Sequence, residues 1–138
     1  MRKVFVVLSG VLFAAVLAQF YLAAVGAFAR PSGDRSFALH DLNGTVLIPL
    51  LSLLATGAAA LARAPRRVVG LAALPLGLVI VQVLIVLAGV AVDGTEDRTT
   101  PAGLAILGLH ALGGLATMAA AGLLLRRARQ FAASTMPE

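Results

Sequence analysis

The side chains able to do chemistry in this chain are few, and they fall in a pattern. There are two histidines, His40 and His110, and three glutamines, two of which stand seven residues before a glycine: Gln19 before Gly26 and Gln82 before Gly89. Each histidine belongs to a related string, Leu39-His40-Asp41-Leu42-Asn43-Gly44 and Leu109-His110-Ala111-Leu112-Gly113-Gly114. A neutral imidazole is a metal ligand. Two of them facing each other across an apolar slot are the donor set of a b-type haem, which also needs small residues beside its ring and cations for its propionates. On that reading His40 and His110 ligate the metal, and Gly44, Gly113 and Gly114 make room. Gln19 and Gln82 fix the imidazoles from behind, and Arg30, Arg35 and Arg98 meet the propionates.

The same residues also support a plainer arrangement. His110 then bonds Gln19 or Gln82 as interhelical glue, His40 is an interfacial residue near Asp41, and the three arginines pair with Asp34, Glu96 and Asp97. A zinc site built on His40 and His110 requires a third protein ligand, which Asp41, Asp34 or Asp97 supplies only if the loops fold over the mouth. Catalysis has little support. Ser9 and Ser52 lie in apolar runs rather than in a nucleophile elbow, and no glycine-rich phosphate loop follows a strand. None of the six acids lies at mid-span, where proton relays and ion-coupled carriers keep them. The lack of cysteine excludes disulfides, iron–sulfur clusters, thiolate zinc sites and cysteine nucleophiles together.

The elements that must position these residues are membrane spans. Of 138 residues 60% are hydrophobic and only 12% charged, with a mean hydropathy of +0.99; a soluble domain carries about a quarter charged residues. A helix needs roughly 20 apolar residues to cross a bilayer, and four runs qualify, at about 4–28, 40–62, 68–92 and 102–125. They predict an all-α integral membrane four-helix bundle, a single transmembrane domain over 1–138. The runs are too long and too uniformly apolar for barrel strands. The second helix starts between Leu39 and Asn43, capped by Asp41 or Asn43, and the fourth starts with Thr100 as cap and Pro101 in its first turn. Pro49 and Pro75 lie within spans and predict kinks.

Charge sets the direction. Arg2, Lys3, Arg63, Arg66, Arg67, Arg126, Arg127 and Arg129 fall on one side, against Arg30, Arg35 and Arg98 on the other together with five of the six acids. The positive-inside rule puts both termini in the cytoplasm. It also accounts for the pI near 11.4 as topology; the cations form separate boundary clusters with no aromatic stripe to stack bases, so nucleic acid is not expected as a partner. The N-terminal run exceeds a signal peptide's apolar region of about 7–15 residues and is expected to stay as the first span. The partners expected are the lipid bilayer and a membrane protein or a second copy of the chain.

The paired strings imply two helix hairpins running the same way, a parallel duplication about an axis along the membrane normal. Depth counting complicates the haem reading. Measured from the nearest basic boundary residue, His110, Gln19 and Gln82 share one level about 23 Å up, whereas His40 stands roughly 10 Å higher.

With these residues set out, the chain resembles small four-helix bacterial membrane proteins of the actinobacterial type, whose function is uncharacterised. The likeness rests on Arg2-Lys3, Gln19, His40 and Leu109-His110, and covers nearly the whole length. More loosely, the bundle is similar to haem-carrying four-helix membrane modules such as a half of haem A synthase or a small b-type cytochrome. That resemblance implies histidine pairs on facing helices and a role in electron transfer or haem handling in the bacterial inner membrane. The chain departs from it in histidine depth and lacks the outer glutamate of the synthase. The alternative is a non-catalytic structural or accessory subunit with a polar His/Gln packing layer; a small transport-related oligomer is a third option.

Overall fold

Backbone polar groups have no water to bond in hydrocarbon, so an apolar run of this length closes its hydrogen bonds within itself as a helix. A computed structural model describes residues 1–30, 35–93 and 99–134. Among them there is no strand, and four helices are long and apolar enough to cross a membrane: α1, Arg2–Phe28; α2, Ala38–Leu61; α3, Arg66–Asp93; and α4, Pro101–Ala133. This is the make-up of a multi-pass membrane protein in contact with lipid. Around the bundle α1 packs on α2, α2 on α3, α3 on α4 and α4 back on α1, which leaves α1 diagonal to α3 and α2 diagonal to α4. The Arg2 guanidinium lies 4.4 Å from the Phe131 ring centroid, so both ends of the chain sit at one end of the bundle. α4 runs past the expected span end at Leu125, carrying Arg126, Arg127 and Arg129 on its helical extension to Ala133.

The start of α4 follows the sequence expectation. Thr100 is the cap and its hydroxyl accepts from the Gly103 N–H at 3.1 Å, with Pro101 next. Asp93 at the end of α3 ties the hairpin shut by accepting from the Thr100 amide at 3.0 Å and its hydroxyl at 2.6 Å. The start of α2 does not follow it. The helix begins at Ala38 after Phe37, which makes no side-chain cap, so neither Asp41 nor Asn43 is the cap. Asn43 is instead buried and its amide crosses to α1, because an unpartnered carboxamide in the interior costs more than an uncapped helix end at the surface.

Both prolines are accompanied by local devices. Before Pro49, residues Asn43–Leu47 form a π turn in which the Ile48 N–H reaches the Asn43 carbonyl. Beside Pro75 on α3, the buried Ser52 hydroxyl of α2 donates to the Ala72 carbonyl at 2.9 Å and accepts from the Leu76 N–H at 3.2 Å. Ser52 therefore bridges an i, i+4 pair of its neighbour's backbone where the proline has loosened the ladder.

The turn between α2 and α3 is closed by the Arg63 N–H on Ala60 O at 2.9 Å and the Ala64 N–H on Ala59 O at 3.0 Å, the two bonds of a Schellman end. Arg63 has φ 58°, the left-handed conformation that glycine adopts without strain. Arg63→Gly is expected to raise stability by about 1 kcal/mol, read as a higher unfolding midpoint in detergent; a lower midpoint would show that the arginine side chain matters more than its backbone.

Packing is uneven along the bundle axis. Phe5, Leu12, Val16, Ile48, Leu51, Ala59, Ala72, Ala121, Leu124 and Ala128 form one buried cluster, which runs from the end that carries the termini up to Val16 and Ile48 at the floor of the histidine cavity. The opposite half holds the histidines, and there the packing opens.

Candidate functional site

At the open half, glutamines on the outgoing helices tether the heads of the returning ones. Gln19 Nε2 on α1 donates to the His40 carbonyl on α2 at 2.9 Å, and Gln82 Nε2 on α3 donates to the His110 carbonyl on α4 at 2.7 Å. The two hairpins thus make the same bond from the same two residue types, as a duplicated unit requires. Glycine lets each amide in. A Cβ on Gly44 would lie 2.6 Å from Gln19 Nε2, and one on Gly113 would run into the carboxamide of Gln82.

The halves then diverge. In the first, Asn43 Nδ2 donates to Gln19 Oε1 at 2.6 Å and to the Ala15 carbonyl at 2.9 Å, so the Gln19 amide is bonded through both of its ends. Gly113 stands where the second string would place this asparagine, and Gln82 Oε1 is buried with no partner. The rings differ as well. His40 Nδ1 lies 3.2 Å from the Gln19 backbone carbonyl; because a carbonyl only accepts, a hydrogen bond here requires the proton of the neutral ring on Nδ1, which leaves Nε2 as the lone-pair nitrogen. His110 Nδ1 is buried without a partner.

The two imidazoles come together across the α2–α4 diagonal, with centroids 6.1 Å apart and planes inclined at 56°; Phe37 meets the His40 ring edge-on at 6.1 Å. The 10 Å depth difference expected from counting is not found. The basic residues used as boundaries are not level with one another. Leu125 packs on Gly10 and Phe13 on Gly122, which lifts Arg126 about six residues, roughly 9 Å, up α1 from Lys3. Asn43, in turn, is bonded at Ala15, and Arg63 lies farther along α2 from that point than Lys3 does along α1. Long cationic side chains reach a surface from a range of depths, so an arginine marks a boundary poorly.

Both rings line a cavity of about 360 Å³ bounded by all four helices. Gln19, Gln82, Gly44 and Gly114 also face it, with Phe20, Ala23 and Ala111 and a wall of valine and leucine from α3. Gly113 lies behind, against Gln82. A second hollow of about 320 Å³ in the crevice between α2 and α3 shares Thr45, Val79 and Val83 with the first, and Pro49 and Leu84 line it beyond them. Arg30 and Arg35 are exposed near the same end and do not line the cavity, and the Arg30 guanidinium donates to the Ala29 carbonyl at 2.9 Å. Arg98, like Asp34, Glu96 and Asp97, lies outside the described residues. Among the described residues no three His, Cys, Asp or Glu side chains gather as a metal site would need.

The sequence reading treated Asn43 only as a cap and Ser52 as an ordinary hydroxyl. A signal for the first existed: Asn43 stands three residues after His40, on the same helical face, opposite Gln19. Ser52 carried none, because its partner is the backbone of another helix.

The model of a family described as being of unknown function, DUF6220, matches residues 19–91, just over half of the chain. The matched stretch opens on Gln19, takes in His40 and Asn43, passes Gln82 and stops before His110. No curated protein and no solved structure matches.

Proposed function

The chain belongs to the DUF6220 family of unknown function, and from the geometry of its two imidazoles we propose that it is a b-type haem-binding membrane bundle serving electron transfer or haem handling. The observation that carries this reading is the 6.1 Å separation of the His40 and His110 rings at the edge of an apolar cavity. A metal bound by imidazole nitrogens at about 2.0 Å on either side sets ring centroids roughly 6 Å apart. The free Nε2 of His40, oriented by its Nδ1–H on a backbone carbonyl, is the arrangement that raises ligand basicity. Gly44, Gly114, Ala23 and Ala111 leave room beside the rings, and the crevice between α2 and α3, which shares Thr45, Val79 and Val83 with the cavity, is further apolar space alongside it. Arg30 and Arg35 are exposed near that end without lining the cavity, so propionates would have to extend out of it to meet them; Arg98 lies outside the described residues. When bound, the haem supplies one-electron redox chemistry; the chain supplies ligands, an apolar surround and fixed orientation.

The placement that goes with this reading is a bacterial inner membrane, both termini cytoplasmic, with residues 1–138 acting as one domain. A membrane protein partner or a second copy would take up or deliver the electron or the haem.

A second reading is favoured by one specific observation. Gln19, Asn43 and the His40 backbone satisfy one another with no outside group, as a packing layer in a structural or accessory subunit would. Absorption separates the two. Haem predicts a Soret band in the detergent-purified protein, abolished in His40→Ala and lost or shifted in His110→Ala. Colourless protein, with variants altered only in stability, selects the packing layer.

A further inference from the structure

Resting on the haem reading, we propose that the two histidines are unequal ligands: His40 is permanent, and His110 is exchangeable for a small neutral ligand entering on the α4 side. The inequality comes from the protons. His40 donates its Nδ1–H to the Gln19 carbonyl at 3.2 Å and so presents Nε2 as a lone pair before any metal arrives. His110 has no such acceptor. Its Nδ1 is buried and unpartnered, and buried N–H groups are left without an acceptor more rarely than buried acceptors are left without a donor. The ring therefore rests with its proton on Nε2. Ligating through Nε2 forces that proton onto Nδ1, where nothing accepts it.

The missing acceptor is part of a wider difference between the halves. Asn43 completes the first polar set, whereas Gly113 in the equivalent position leaves Gln82 Oε1 unpartnered too. Gln82 holds the His110 main chain and leaves the ring without a hydrogen bond. Loss of a partner behind a ligating histidine weakens metal affinity about 10–100-fold, so the same asymmetry is expected between the two ligands here. Beside His110 the cavity wall is Ala111, Gly114 and Thr117, small enough to admit a diatomic molecule or a free azole once the ring has moved aside.

The test uses full-length, haem-loaded protein in detergent. Carbon monoxide added to the reduced form is expected to shift the Soret band. His110→Gly should keep haem and regain the wild-type spectrum with millimolar imidazole, whereas His40→Gly should lose haem affinity at least 10-fold more than His110→Gly does. Equal loss in the two variants, or no response to carbon monoxide, overturns the inequality while leaving haem binding intact; a wild-type protein without pigment overturns the haem reading and ligand exchange together. Ring nitrogen NMR of the haem-free protein needs no variant. It should find the proton on Nδ1 of His40 and on Nε2 of His110, and the same tautomer at both would refute the proposal.

Discussion

Alanine at Gly113 is expected to destabilise the protein by about 1–3 kcal/mol, while alanine at the next residue, Gly114, leaves it unchanged or slightly stabler. The two glycines look alike in the sequence. A Cβ at position 113 meets the Gln82 carboxamide, which must swing away from the His110 carbonyl, leaving the buried Gln82 amide without its acceptor while the carbonyl keeps only its bond within α4. A Cβ at position 114 meets Phe20 at 3.6 Å and Gln82 Nε2 at 3.7 Å, ordinary contact distances, and gains up to about 1 kcal/mol of helix propensity. Unfolding in detergent by denaturing surfactant would read the difference. Equal midpoints for the two variants would mean that the Gln82 tether contributes nothing to stability.

The largest loss of stability is expected from Phe5→Ala, about 2–4 kcal/mol. Phe5 is 0% exposed and belongs to the dense cluster near the termini, where Leu12, Ala121 and Leu124 are equally enclosed. In a bilayer the gain from leaving water is largely absent, because lipid tails are as apolar as a protein core. What remains is dispersion lost around the void, which is why the figure falls below that for a soluble core. Phe28, 79% exposed, serves as the control, and Phe28→Ala should shift the midpoint by no more than about 0.5 kcal/mol. Comparable losses at both positions would deny that the terminal half is the packed half.

What could be read from the sequence was whatever depends on one helix at a time. The four spans follow from composition, and Thr100 with Pro101 announces the start of α4 through local chemistry alone. The pairing of each glutamine with a histidine-led helix was visible as spacing, although the bond goes to the backbone carbonyl rather than to the ring. Depth was misread because Arg63 and Arg126 do not share a level, and only contacts such as Leu125 on Gly10 reveal the stagger between helices. Ser52 escaped for the same reason, since its partner is the main chain of a different helix, where side-chain identity leaves no trace; Asn43, which bonds the Gln19 side chain as well as the Ala15 carbonyl, did leave a signal in its place three residues after His40. Arg30 and Arg35 show the reverse: their charge suggested a role at the cavity, but their side chains are exposed and do not line it.

The π turn ahead of Pro49 has a consequence for how α2 is aimed. One residue more than a regular turn fits between Asn43 and Ile48, and each helical residue turns the azimuth by about 100°. The lower part of α2 is locked by Ser52 and the alanines around it, so the excess rotation falls wholly on the first turns, Ala38–Leu42. An uninterrupted helix from the same footing would turn the His40 imidazole by about 100° from its present direction, away from the His110 ring. The irregularity is thus what lets a helix anchored by small residues below still deliver an aromatic nitrogen to the centre above.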